Sequence, residues 1–391
     1  MESTRVILHL DLDAFFCAVE EIKDPGLRGK AFAVGGSPSG RGVVTSCSYP
    51  ARKMGVRSAM PAGKALQLCP NLILVSRNHR DYGKYSKLVM DRLASYTDQI
   101  EQISIDEAFL DITDLGPSPK AIGIELQKTI LDEIRLPNSV GIGSNKLVAK
   151  IANDVGKKAH KGEGPPNAIT IVPAGEERSF MAPLPVDMLS GVGPKTRDRL
   201  ERFNIRTIGD LAAYPEVELA ENFGKHGYDL SQRAKGIDNR GIITERGIKS
   251  VSNERTFSKD LGRKNEVLEH INKLANQVSK RLIKKDLRGK TIQIKLRWSD
   301  FTTLTRQSTL PQTTNEYKLI QKTAEDLLNQ VWQEGRMVRL IGVGVHKLDT
   351  DAHQLGLWDT DYQKNVQLQD TLKDLKEKYG ENVISRGIKK L

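Results

Sequence analysis

The chain has 391 residues, 38% apolar and 28% charged, with a formal net charge of +11. A chain of this size is expected to hold two to four domains, at about 100–200 residues each, and its balance of apolar and charged residues excludes a largely disordered protein. No apolar run approaches the roughly 18 residues that a membrane helix needs, so no membrane partner is expected.

The excess charge is concentrated. Residues 245–349 hold 21 Lys and Arg against 12 Asp and Glu, a net +9, whereas residues 1–244 carry +2 and residues 350–391 balance. A basic segment joined to a near-neutral one is the electrostatic footprint of a polyanion binder, most often nucleic acid. The competing explanation is a solubilising surface. Cys17, Cys47 and Cys69 are too few for a disulfide framework, and no Cys/His spacing suits zinc. A reducing compartment, the cytoplasm, is expected. The first apolar run, Val6–Leu10, goes straight into Asp11 and Asp13, which is not the pattern of a signal peptide.

In chain order, residues 4–11 read as a short buried strand ending in a carboxylate, and residues 14–22 as a helix. A loop rich in Gly, Ser and Pro follows, from Gly35 to Gly42. Residues 78–97 read as helical, and residues 99–112 as two strands meeting near Ser104-Ile105-Asp106-Glu107. A helix at about 119–135 and a strand near 139–143 complete an order that fits a ferredoxin-like split βαβ sheet, with residues 14–76 inserted after its first strand. Pro165, Pro166 and Pro173 mark a boundary region, and residues 186–240 read as short helices punctuated by glycine. Residues 241–250 read as a basic linker. Residues 251–348 give strand, helix, two strands, helix, strand, with Val267, Ile271, Leu274, Val278 and Leu282 at helical spacing. In one of those strands Ile292, Leu296 and Trp298 alternate with Gln293, Lys295 and Arg297. Residues 363–381 read as one more amphipathic helix.

Asp11 ends the first strand, and Asp106 and Glu107 sit at the junction of the next two. In a split βαβ sheet these strands are neighbours, so three carboxylates can converge at one edge. Carboxylates that close repel, and one stays protonated unless a cation intervenes. Mg²⁺ takes hard oxygen ligands and leaves room for phosphates, and two such ions about 4 Å apart can serve both the attacking and the leaving oxygen at phosphorus. A lone Asp-x-Asp or Asp-Glu is usually just an exposed strand end. Here two pairs each lie in an apolar frame, Leu10-Asp11-Leu12-Asp13 and Ile103-Ser104-Ile105-Asp106-Glu107-Ala108-Phe109-Leu110.

On these residues the sequence resembles the Y-family, or translesion, DNA polymerases, most closely those of the bacterial DNA polymerase IV type. The resemblance runs in family order from residue 4 to about 358. It is carried by Asp11 to Glu20, Ser48 to Pro61, Ser104 to Asp111, Gly141 to Ala152 and Ser190 to Lys195. It implies an α+β multidomain right hand. The palm is ferredoxin-like (1–13 and 77–165), followed by small fingers (14–76) and a helical thumb with a helix-hairpin-helix (166–240). A linker (241–250), a split-βαβ little finger (251–348) and a tail (349–391) complete it. It also implies Asp11, Asp106 and Glu107 as metal ligands assisted by the Leu12 carbonyl, two Mg²⁺ ions with Mn²⁺ able to substitute, and a monomer. Asp13 matches a family aspartate that is not a metal ligand.

Tyr49 and Arg52 lie three residues apart, and a phenol and a guanidinium fork are suitable donors to triphosphate oxygens. The resemblance assigns them that role, with Lys157 as a third cation and Ser46 nearby. The family usually follows this lysine with proline, whereas Lys158 follows here, so Lys158 could share the role. Two adjacent aromatics, Phe15 and Phe16, open the first helix. Such pairs are usually core, Phe15 partly so, and the resemblance places Phe16 under the sugar of the nucleotide as a steric gate against ribose. Leu189 to Lys195 fits a helix-hairpin-helix turn, whose Gly191 and Gly193 permit close backbone approach to a phosphate, with Lys195 following. Phe223 to Gly227 is a weaker second candidate. Lys295 and Arg297 share one strand face and suit salt-sensitive phosphate contacts. Gln354, Leu355, Leu357 and Trp358 resemble the peptide by which bacterial polymerases plug into the sliding clamp.

The activity these features imply is low-fidelity translesion synthesis. A deoxynucleotide from a dNTP joins a primer 3′-end on template DNA, pyrophosphate leaves, and no proofreading exonuclease is expected. A silent polymerase-fold scaffold that binds DNA and clamp is the rival from another class, and has no reason to keep all three carboxylates. A nuclease using the same metals would not need Phe16 or the Tyr49/Arg52 pair.

Overall fold

Strand Ile7–Leu12 alternates side chains between two faces, and both are covered. Leu8, Leu10 and Leu12 join a core with Leu110, Leu126, Ile130 and Val140. On the opposite face Ile7 packs with Phe109 and Ala149. This strand is the centre of a five-stranded sheet ordered Ile100–Gln102, Glu107–Asp111, Ile7–Leu12, Asn138–Gly143, Ile169–Ile171. The first four give the split βαβ order, with helices His79–Leu93 and Pro119–Ile134 as the crossovers. The computed structural model describes residues 5–349 and the isolated positions 371, 375 and 378. These fall in two compact units that divide at Gly247/Ile248.

In the first unit, helix Lys146–Ala159 covers the Ile7/Phe109 face of the sheet. This helix was not expected from the sequence. Its approach to strand Asn138–Gly143 is so close that a Cβ at Gly141 would collide with the Ala149 carbonyl and the Asn153 nitrogen. Glycine is therefore obligatory there for packing. The insertion forms a three-stranded sheet of Val44–Cys47, Phe32–Gly35 and Ile73–Ser76, with helix Tyr49–Lys53 capped by the Ser48 hydroxyl. Its boundaries are less sharp than the sequence suggests. Phe15, Cys17, Val19, Phe32 and Val34 belong to the same core as Leu8 and Leu10, and the sheet's fifth strand lies beyond residue 165. Short helices from Glu177 to Ala234 pack around Leu200, Ile208, Leu211, Leu219 and Leu230. They include two glycine turns with left-handed backbone, Gly191 (φ +100°) and Gly224 (φ +63°).

The segment before the second unit is pinned to the first sheet. The Glu101 carboxylate, 1% exposed, accepts from the Lys146 ammonium (2.7 Å), from the Ile243 N–H (3.0 Å) and from Arg246. Lys146 also donates to the Gly241 carbonyl at 2.8 Å. Burial pushes Glu101 up, but these donors outweigh it and hold the carboxyl below its usual pKa.

The second unit is a sheet ordered Thr303–Thr314, Arg288–Trp298, Val338–Asp349, Ser250–Leu261, with helices Lys264–Lys284 and Tyr317–Val331. Its crossover strands enclose the fourth strand, whereas those of the first sheet enclose the third. Ile292, Ile294, Leu296 and Trp298 face the helices through Ile271, Val278 and Leu328. Lys295 and Arg297 take the other face beside Gly342 and Leu340. Residues 354–358 lie outside the described residues.

Replacing Glu101 by Ala leaves Lys146 charged and unpaired where it is 3% exposed. Urea unfolding should show a loss of about 3–5 kcal/mol in the first unit. A loss below about 1 kcal/mol would mean that Lys146 and Arg246 find other partners.

Candidate active site

The register places Asp11 directly opposite Glu107, and the Leu12 N–H donates to the Asp106 carbonyl at 3.0 Å. The backbone therefore brings the three predicted carboxylate positions together. The Asp11 and Glu107 side chains are held separately by cations from one helix, and Asp106 accepts from the Ser104 hydroxyl at 2.6 Å. Lys146, Lys150, Asn153 and Lys157 recur at intervals of four, three and four, which is one stripe of a helix. Lys146 meets Glu101, and Lys150 donates to Glu107 at 3.0 Å. Asn153 contacts the buried His9 ring at 3.0 Å, and Lys157 donates to Asp11 at 2.6 Å. Lys157 also pairs with Asp13 at 3.0 Å. Among the described residues no three acidic or histidine side chains stand close enough to hold a metal as they are placed.

The two facing carboxylates are poised oppositely. Burial pushes Asp11 up to about 6, against the pull of Lys157, and the charges of Glu107 and Asp106 add to the rise. Glu107 is held down at about 2, chiefly by His9 and then by Lys150. Burial lowers Lys157, but Asp11 and Asp13 outweigh it and hold the ammonium above its ordinary pKa. Burial also lowers the His9 pKa, against the pull of Glu107.

A cavity of about 230 Å³ opens beside Asp11. Leu12, Phe15, Phe16, Ser46, Arg52, Asp106 and Lys157 line it, together with Ala14, Thr45 and Ser58. No role was expected of Thr45 or Ser58 from the sequence. Lys158 is exposed and does not line the cavity, so Lys157 alone of the two lysines is placed there. Ala14 joins strand to helix in left-handed backbone (φ +47°), which turns Phe15 and Phe16 to this side. Phe15 is 3% exposed core. The Phe16 ring lies 4.4 Å from the Tyr82 ring, centroid to centroid. Tyr82 is itself fixed, donating to the buried Glu20 carboxylate at 2.7 Å. Tyr82 was not legible as part of the site, because it lies in another helix and only packing brings it to Phe16, whereas Glu20 stands one helical turn after Phe16 in the same helix. The Arg52 guanidinium stacks 4.8 Å from the Tyr49 ring centroid and donates to the Cys47 carbonyl. The Tyr49 hydroxyl is buried with no protein partner.

Glu107 lines a second cavity, of about 550 Å³, with Lys146, Lys150, Arg240, Arg246 and the Gly191-Val192-Gly193 turn. Gly193 precedes helix Pro194–Glu201, and Lys195 is exposed on its first turn. In the second unit Lys295 pairs with Glu254 at 2.9 Å and Arg297 donates to Thr303. An exposed pair of that kind is weak and easily exchanged for a phosphate.

The residue chemistry fits a divalent cation. The donors are hard oxygens, and a buried carboxylate with a raised pKa gains by facing more positive charge. No helix among the described residues is long and apolar enough to cross a membrane. The three cysteines are free and buried.

Comparison with known proteins identifies the family. Residues 10–154 match the impB/mucB/samB family, residues 248–357 its C-terminal domain, and residues 187–238 the thumb domain of DNA polymerase-iota. DNA polymerase IV of Listeria innocua is 40% identical over 352 residues, 89% of this chain and 96% of that protein. DNA polymerase IV of Streptococcus gordonii is 37% identical over 350 residues, 88% and 97% of the two chains. Among solved structures, a Y-family DNA polymerase chimera of Dbh and Dpo4 matches with a TM-score of 0.78 at 26% identity, covering 88% of this chain and all of its own. An insertion ternary complex of Dbh DNA polymerase matches with a TM-score of 0.63, at the same identity and coverage. The chain belongs to the Y-family DNA polymerases. Its full-length relatives are DNA polymerases IV, and it is a DNA-directed DNA polymerase of the translesion class.

In metal-free protein with ¹³C-labelled carboxyls, Asp11 should titrate near pH 6 and Glu107 near 2. Adding a divalent cation should pull the Asp11 midpoint down. A metal-free midpoint below about 5 would mean that Lys157 outweighs burial.

Proposed function

We propose that the 230 Å³ cavity is the nucleotide site, where a dNTP is joined to a primer 3′-hydroxyl on template DNA and pyrophosphate leaves. The observation that carries this reading is the composition of one cavity wall. It combines Asp11, Asp106 and the Leu12 backbone with two cations and a braced aromatic ring. Asp11, Asp106, the Leu12 carbonyl and Glu107, once released by Lys150, are the groups to hold two divalent cations, Mg²⁺ by preference and Mn²⁺ as a substitute. Bound there, such ions activate the attacking oxygen and stabilise the leaving one.

The protein's own part is binding and orientation. Arg52, Lys157 and the unpartnered Tyr49 hydroxyl donate to triphosphate oxygens, with Ser46 beside them. Phe16, backed by Tyr82, occupies the space of a ribose 2′-hydroxyl. The N–H groups of the Gly191-Val192-Gly193 turn, with Lys195, hold DNA phosphate without reading sequence. Lys295 and Arg297 extend that grip along the second unit. The enzyme is a cytoplasmic monomer without a proofreading exonuclease, and Gln354, Leu355, Leu357 and Trp358 are its sliding-clamp contact.

Primer extension tests the nucleotide site. Asp106→Asn should abolish extension while leaving DNA affinity near wild type. Phe16→Ala should raise kcat/KM for ribonucleotides much more than it changes that for deoxynucleotides. A merely apolar pocket rejects an added hydroxyl by only about a hundredfold, so strong rejection that survives Phe16→Ala would place the gate elsewhere. Alanine at all four tail positions should remove stimulation by the clamp and leave unassisted synthesis intact. Stimulation that survives would place the contact outside the tail motif.

A further inference from the structure

Asp13 is fully buried and does not line the nucleotide cavity. Its two oxygens do different things. Oδ2 accepts from the Ser139 hydroxyl at 2.8 Å and from the Asn167 N–H at 3.2 Å, tying the strand end to the neighbouring strand and loop. Oδ1 is buried without a hydrogen-bond donor of that kind and faces the Lys157 ammonium at 3.0 Å. A buried carboxylate oxygen is costly without a countercharge, so this oxygen and Lys157 depend on each other.

Lys157 is shared between Asp11 at 2.6 Å and Asp13 at 3.0 Å. Asp11 lines the nucleotide cavity and Asp13 does not. When Asp11 is engaged in that cavity, Asp13 is the anion left to hold Lys157. A lysine head on a four-carbon stem otherwise samples many rotamers, and ordering it on ligand arrival costs affinity.

We propose that Asp13 is a positioning residue that holds the Lys157 ammonium at the floor of the nucleotide cavity for the triphosphate. The inference rests on the reading that Lys157 contacts the triphosphate. Asp13 touches neither nucleotide nor primer, and its effect passes through Lys157 alone.

The substitution that separates its two roles is Asp13→Asn. The Asn167 N–H keeps the amide oxygen in the Oδ2 position, so the NH₂ group faces Lys157 and repels it. Binding is read with a non-hydrolysable dNTP analogue on the enzyme bound to dideoxy-terminated primer-template DNA, and steady-state kinetics are read beside it. Asp13→Asn should raise the analogue Kd and the dNTP KM about tenfold, the scale of a lost charge-assisted hydrogen bond, with a much smaller change in kcat. Lys157→Ala should raise the Kd by itself, and adding Asp13→Asn should then change little, because the two act as one unit.

A wild-type Kd for Lys157→Ala would overturn the reading of Lys157, and the proposal with it. A raised Kd for Lys157→Ala with fully additive effects in the double variant would overturn the proposal alone. Ser139→Ala removes a donor to Oδ2 and leaves Lys157 in place, so its Kd should stay within about twofold of wild type. If it reproduces the Asp13→Asn loss, Asp13 acts through the sheet and the proposal fails. Should Asp13→Asn not fold, recovery of folding in Asp13→Asn/Lys157→Met would support the coupling, and persistent unfolding would overturn it.

Discussion

The arrangement of the palm depends on one helix lying against one face of its sheet with a polar stripe turned inward. Lys146, Lys150, Asn153 and Lys157 meet Glu101, Glu107, His9 and Asp11 in that order along the helix. Without these partners the sheet face would bury several carboxylates near one another, which repulsion and desolvation oppose. The stripe can reach the sheet because Gly141 lets the helix backbone come into contact with the strand. Packing and electrostatics are thus one constraint here: a side chain at 141 would lift the cations off their partners.

The ladder is tight where it is structural and shared where it is functional. Glu101 and Lys146 are almost completely buried, and Glu101 has further donors from residues 243 and 246. At the other end Lys157 divides its charge between Asp11 and Asp13 beside an open cavity. An interaction divided in that way is cheaper to rearrange, which suits the nucleotide-binding role proposed for this cavity. The Phe16 ring beside it is rigidly backed by contrast. Phe16 rests on a ring held by a buried hydroxyl–carboxylate bond, so its position costs little entropy on binding.

The two sheets of this chain use the same succession of elements for different ends. In the palm both faces are covered, so polar side chains between the layers must be paired internally. In the little finger the helices cover one face, and the other carries Lys295, Arg297 and the side-chain-free positions Gly342 and Gly344. The local alternation of apolar and basic residues in Arg288–Trp298 records that difference.

The sequence by itself determined the split βαβ succession in both units, because alternation and helical spacing are local properties. It also singled out Asp11, Asp106 and Glu107, since two acidic pairs inside apolar frames weaken the explanation of plain strand ends, and the register sets Asp11 opposite Glu107. Its family motifs named Phe16, Arg52 and Lys157, which line one cavity, and Tyr49, which does not line it but stacks on Arg52. Only the tertiary structure decided what those residues touch. Lys150, Asn153 and His9 were missed because their partners lie 43 to 144 residues away in the chain. The 4-3-4 spacing of the polar stripe was the one local trace of them. Tyr82 carried no trace, since a tyrosine on a separate helix reads as an ordinary helix residue, whereas its partner Glu20 closes the Asp11 to Glu20 motif, one turn after Phe16. The choice between Lys157 and Lys158 was undecidable locally, because neighbours on a helix differ by about 100° in direction, and only the packed helix shows which one faces Asp11.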